Sequence, residues 1–156
     1  MTNRKGPGIN PEAGFTLIEL MITIVIGSIL LGIAIPGYQS QIRKSRRTEA
    51  RMAVLDLASR EERFLSTSNT YSQTTTDVGY TGTFPVTVGS GYYTLTVTSP
   101  DPAFTGAGGT GPSYIITATA IGTQVKDTAC QTFTVTHLGA QTATDSGGAA
   151  APTCWN

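Results

Sequence analysis

From Phe15 to Ile35 the chain reads FTLIELMITIVIGSILLGIAI, 21 residues in which Glu19 is the one ionisable side chain. As a helix rising 1.5 Å per residue, such a run is about 30 Å long, the thickness of a bilayer's hydrocarbon core. It is apolar on all sides, whereas a helix at the edge of a soluble core would be striped. A cleavable secretory signal would have a shorter apolar region of about 7–15 residues and a small-residue cleavage site; here Pro36 stands where that site is wanted. The run therefore reads as a membrane span. A carboxylate inside a span is costly enough to mark function by default, which singles out Glu19.

At 156 residues the rest of the chain suffices for one compact domain. Formal net charge is zero, but nine of the ten Lys and Arg residues lie at or before Arg63. Beyond Ser66 one base, Lys126, stands against Asp77, Asp101, Asp127 and Asp145. The distal part lacks the basic footprint that phosphate contacts require, so nucleic acid is not an expected partner.

Gly14-Phe15-Thr16-Leu17-Ile18-Glu19-Leu20 resembles the signature of the type IV pilin family, and Ile35-Pro36-Gly37-Tyr38 extends the match. The resemblance implies a leader over residues 1–14, cut by a prepilin peptidase between Gly14 and Phe15, and N-methylation of Phe15. It also implies assembly roles for Glu19 and Pro36. Physically, a Gly before the cut lets the peptidase approach the backbone closely. Cleavage leaves a buried amine on Phe15 and a buried carboxylate on Glu19, and pairing the two, within a subunit or between neighbours, offsets a desolvation that neither could bear alone.

The leader departs from the usual pattern, because Glu12-Ala13 precede Gly14 and the basic pair Arg4-Lys5 lies upstream. Arg43, Lys44, Arg46, Arg47 and Arg51 follow the span, so a bare positive-inside count would place that side in the cytoplasm. The family's peptidase acts on the cytoplasmic side, and the two cysteines want an oxidising compartment. Both point to an inner-membrane single pass with a periplasmic domain, extracellular once assembled.

The transmembrane and assembly helix is expected over 15–36, with a local disturbance at Pro36-Gly37. Its amphipathic half is expected over 37–65. Ala50, Ala53, Val54, Leu57, Ala58, Phe64 and Leu65 form its apolar stripe, and Arg51, Arg60, Glu62 and Arg63 its solvated face. The Arg43–Arg47 cluster reads either as a solvated stem or as a contact for lipid phosphates and acidic neighbours. Residues 66–91 read as a polar, Gly-punctuated αβ loop anchored by Tyr71, Tyr80 and Phe84. Tyr92–Thr98, Tyr114–Ile121 and Thr132–Leu138 alternate apolar residues with Thr, the period of a sheet with one covered face. The Gly106–Gly111 run between two of them reads as a hairpin loop rather than a phosphate cradle.

Cys130 and Cys154 are the only cysteines. An even pair in an exported chain implies a disulfide, and closing a loop of about 25 residues contributes roughly 3–4 kcal/mol. The expected fold is therefore α+β: a long helix packed on a small antiparallel sheet over 92–156, with a disulfide-bounded C-terminal region. His137 is the sole histidine, and no catalytic constellation, metal site or cofactor is expected. The resemblance is closest to PilE-type minor pilins. It implies other pilin subunits, the prepilin peptidase, the assembly machinery and the inner membrane as partners, in a filament serving adhesion, twitching motility or DNA uptake. An adhesin or DNA-binding pilin-like module, or a type II secretion pseudopilin, is the alternative.

Overall fold

The computed structural model describes residues 14–155, so residues 1–13 of the expected leader lie outside the described residues. Two compact units divide the chain between Gln39 and Ser40. Helix α1, Leu17–Ser68, contributes to both.

Within the first unit none of the described side chains is buried. Thr23 and Ser28 donate their hydroxyls to the carbonyls of Leu20 and Val25, each at 2.8 Å, so the only hydroxyls inside the apolar run after its first turn are satisfied by the helix itself. Pro36 lies inside α1, and the backbone is helical through Pro36-Gly37. The expected disturbance at Pro36-Gly37 does not interrupt the helix: a proline forfeits one backbone bond, and the helix continues through it.

The second unit contains the remainder of α1 and a five-stranded antiparallel sheet in simple sequence order: β1 Val86–Val88, β2 Tyr93–Thr98, β3 Ile115–Ala120, β4 Thr132–Thr136 and β5 Gln141–Thr144. Three of these lie within the expected strands. β1 falls inside what reads as loop over 66–91, and β5 inside the disulfide-bounded C-terminal region. Both are too short for alternation to register in sequence, and pairing with β2 and β4 makes them strands. The β2–β3 hairpin carries a short helix, α2 Pro102–Gly106.

On α1 the buried positions are Ala50, Val54, Leu57 and Glu61, spaced as one helical face. Ala50, Val54 and Leu57 share one core with Tyr93, Leu95, Ile116, Ala118, Phe133 and Val135 from the covered face of the sheet. Tyr93 and Phe133 pack edge to face at 5.9 Å, and Phe133 packs likewise on Trp155 at 5.8 Å. The helix ends at Asn69, whose left-handed backbone (φ 54°) stops it while its N–H closes on the Leu65 carbonyl at 2.8 Å. The last helical residue, Ser68, lies three residues beyond the expected end. Cys130 and Cys154 are joined, with Cα atoms 5.9 Å apart. The bond fastens the segment before β4 to a 3₁₀ turn, Pro152–Trp155, that follows β5.

Candidate functional site

The N-terminal segment begins without regular structure at Gly14, and a Cβ placed there would meet nothing within 4 Å. Phe15 follows, 83 % exposed. Thr16 accepts the N–H of Glu19 on its hydroxyl at 3.3 Å, satisfying one of the orphan donors of the first turn. Glu19 is the acid of that turn. The spacing Thr16-x-x-Glu19 is that of a capping box, a signal present in the sequence but overshadowed by the apolar run. The helix start thus places a carboxylate where the macrodipole favours negative charge, four residues from Phe15. Gly14, Phe15 and Glu19 share one short segment; Pro36 lies about five turns further along α1.

In the second unit the basic cluster of the helix is mostly committed to the domain. Arg47 grips Asp127 with two hydrogen bonds, 2.7 Å from Nε and 2.6 Å from Nη2. The bonds to Asp127 push the Arg47 guanidinium up from its ordinary value. Gln124 extends this network, its amide nitrogen lying 3.1 Å from Asp127 and 3.2 Å from the Tyr93 hydroxyl. Burial pushes that phenol up to about 12. Arg46 lies over the Tyr92 ring at 3.3 Å. Arg51 and Arg60, expected to be solvated, are half-buried: Arg51 donates to the Trp155 carbonyl at 2.8 Å, and Arg60 to that of Val78 at 3.1 Å. Long side chains of this kind cover apolar surface while their heads find carbonyls. Glu62 and Arg63 are exposed, as expected.

The αβ loop is fastened to the helix by acids that the sequence pattern does not reveal. Fully buried Glu61 accepts the Ser72 N–H at 3.0 Å on one oxygen, while the other is buried without a partner among the described residues. Burial pushes this carboxyl up, and Asp77 and Glu62 push in the same direction. Tyr71 donates to Glu62 at 2.9 Å and packs edge-on against Tyr114 at 4.6 Å. Tyr80 and Phe84 pack on the same core, so all three aromatics anchor the loop as expected. Glu49 holds the β1–β2 turn through Ser90, accepting its N–H at 2.9 Å and its hydroxyl at 3.0 Å. Arg60, Arg63, Phe64, Thr67 and the loop residues Thr76–Gly79 enclose a cleft of about 370 Å³. His137 sits against Phe104 at 4.5 Å between ring centroids. Among the described residues no three His, Cys, Asp or Glu side chains group as metal ligands.

An exposed, capped apolar helix with one acid, in a chain whose sheet domain is closed by a C-terminal disulfide, defines an α+β pilin fold. A family model described as type IV minor pilin ComP, DNA uptake sequence receptor, matches residues 36–134, and that of the prokaryotic N-terminal methylation motif matches residues 9–35. Fimbrial protein Q of Moraxella bovis is 40 % identical over 81 residues, 48 % of this chain and 52 % of that protein. The type IV major pilin protein PilA of Myxococcus xanthus is 38 % identical over 72 residues, covering 46 % and 33 %. The type IV major alpha-pilin of Moraxella bovis is 58 % identical over 40 residues, covering 26 % and 25 %. The chain thus matches from a quarter to about half of the length of these relatives. It belongs to the type IV pilin family.

Proposed function

We propose that this chain is a subunit of a type IV pilus, made as a precursor that a prepilin peptidase cuts between Gly14 and Phe15 and that is then methylated on the Phe15 amine. It waits in the inner membrane as a single pass with its domain in the periplasm, and the assembly machinery draws it into the filament through the apolar helix. One observation carries this reading: the run to Ile35 has no buried side chain and contains one acid, Glu19, in its first turn. A surface so apolar needs a lipid or protein partner. A minor, low-copy place in the filament is supported by the minor-pilin description of the family model. Mass spectrometry of sheared filaments tests both points. The expected result is a peptide beginning at methylated Phe15, less abundant than another pilin; an intact leader or absence from filaments overturns the reading.

A second reading, DNA reception during uptake, rests on that same family description and on the placement of Arg60 and Arg63 beside the αβ loop. The scarcity of bases beyond Arg63 counts charge along the chain, whereas the folded domain brings helix arginines to a loop that has none. Gel shifts of the full-length chain with duplex DNA test it. Binding that weakens with salt and with Arg63→Ala supports reception, and no shift at low salt sinks it.

A further inference from the structure

The sheet face turned away from α1 carries threonine at eleven of its twelve strand positions, Ile115 being the exception. Strand register aligns these residues. Thr87, Thr94, Thr119, Thr132 and Thr144 form one row across all five strands. Thr96, Thr117, Thr134 and Thr142 form a second across β2 to β5. Neighbouring strands lie about 4.7–4.9 Å apart, and alternate residues along a strand about 6.6–6.8 Å, so the rows make a two-dimensional grid in which every point carries a hydroxyl and a methyl. Cross-strand bonds hold part of the grid still: the Thr132 and Thr144 hydroxyls meet at 2.5 Å, and those of Thr134 and Thr142 are likewise paired.

β-Propensity accounts for threonine at any one of these sites, since it suits a pleated, half-exposed surface. It does not account for threonine at all but one of the twelve positions, nor for the exclusion of every charge, because solvent-facing surfaces ordinarily mix both signs of charge. The face also lacks the aromatic, Met and Arg residues that protein interfaces concentrate, and it has no aromatic platform on which a sugar ring could stack. An occupant that suits it is an uncharged lattice offering donors and acceptors in equal measure, with repeats near those of the grid. The oxygen rows on a prism face of ice meet both conditions, and each hydroxyl can donate to or accept from them. Pre-ordered side chains lower the cost of engaging such a lattice.

We propose that this threonine grid is a water-ordering surface that binds ice. Strand twist of about 20–25° per pair limits flat contact to adjacent strands, so Thr117, Thr119, Thr132 and Thr134 on central β3 and β4 carry most of it. The test places the full-length chain in lipid nanodiscs, with empty nanodiscs as background, and measures its incorporation into a slowly growing ice crystal and its inhibition of ice recrystallisation. The wild type is expected to enter the ice and to suppress recrystallisation. Thr117→Tyr and Thr119→Lys, each with an unchanged melting temperature, are expected to lose both effects. Exclusion of the wild type to the level of empty nanodiscs, or full ice binding by both folded variants, overturns the proposal. So does retention on insoluble polysaccharide, or self-association, that both variants abolish without any ice effect. Each of these outcomes is independent of whether filaments contain a methylated Phe15 peptide.

Discussion

Arg47 and Asp127 stand 80 positions apart in sequence and meet through two parallel hydrogen bonds, the guanidinium 21 % and the carboxylate 4 % exposed. This pair ties the helix to the turn before β4, and its two-pronged geometry is one that lysine could not reproduce.

Removing the cation strands a buried carboxylate. Arg47→Met is expected to destabilise the domain by about 3 kcal/mol, the low end for a broken buried pair because Arg47 is partly exposed. Urea melts check this. The double variant with Asp127→Leu should recover much of the loss, and an equally unstable double variant would show that packing, not charge, dominates here.

Glu61 makes stability depend on pH. Its folded-state affinity for a proton exceeds that of the unfolded chain, so its ionisation opposes folding at neutral pH and is relieved as pH falls through the raised folded value. Glu61→Gln is expected to melt higher than the wild type at pH 7.5, with the gap narrowing toward pH 4.5. A gap that stays constant over that range would rule out the carboxyl as its source.

The disulfide closes the segment that contains β4 and β5. Reduction, or the paired change Cys130→Ser and Cys154→Ser, should cost roughly 3–4 kcal/mol by the loop-entropy relation. A melting temperature unmoved by reductant would remove its stapling role.

Glu19 separates assembly from folding. Glu19→Ala should leave the domain's melting temperature unchanged, because none of the described side chains of the first unit is buried, yet deplete the subunit from sheared filaments as judged by immunoblot. Normal piliation would contradict the assembly role of this acid.

Burial of Tyr93 and Tyr71 pushes each phenol up to about 12. Their ultraviolet phenolate signal should therefore emerge well above the usual tyrosine range. Because the unfolded chain loses these protons first, stability should fall as pH rises from about 10 toward 12. Titration of Tyr93→Phe should lack one late-ionising group; a curve identical to the wild type would mean that Tyr93 is not held neutral by the core.

Much of the architecture is legible in sequence because it rests on local periodicity. An apolar run of 21 residues, the stripe from Ala50 to Leu57 and the Thr alternation of β2, β3 and β4 each declare their element without reference to any other. β1 and β5 do not, since three or four residues carry too little pattern and become strands only by pairing with neighbours. Glu61 has no place in the apolar stripe, since carboxylates are seldom buried; the αβ loop folding over it decides its burial.

The cleavage and methylation signature, the helical span, the single acid at Glu19 and the cysteine pair belong to the linear chain, because each is specified by residues in immediate succession or by simple count. The grip of Arg47 on Asp127, the burial of Glu61 beneath Ser72 and the alignment of threonines from five strands into rows belong to the tertiary structure. They join residues tens of positions apart, and only the register of the sheet and its packing on the helix bring those groups within bonding distance.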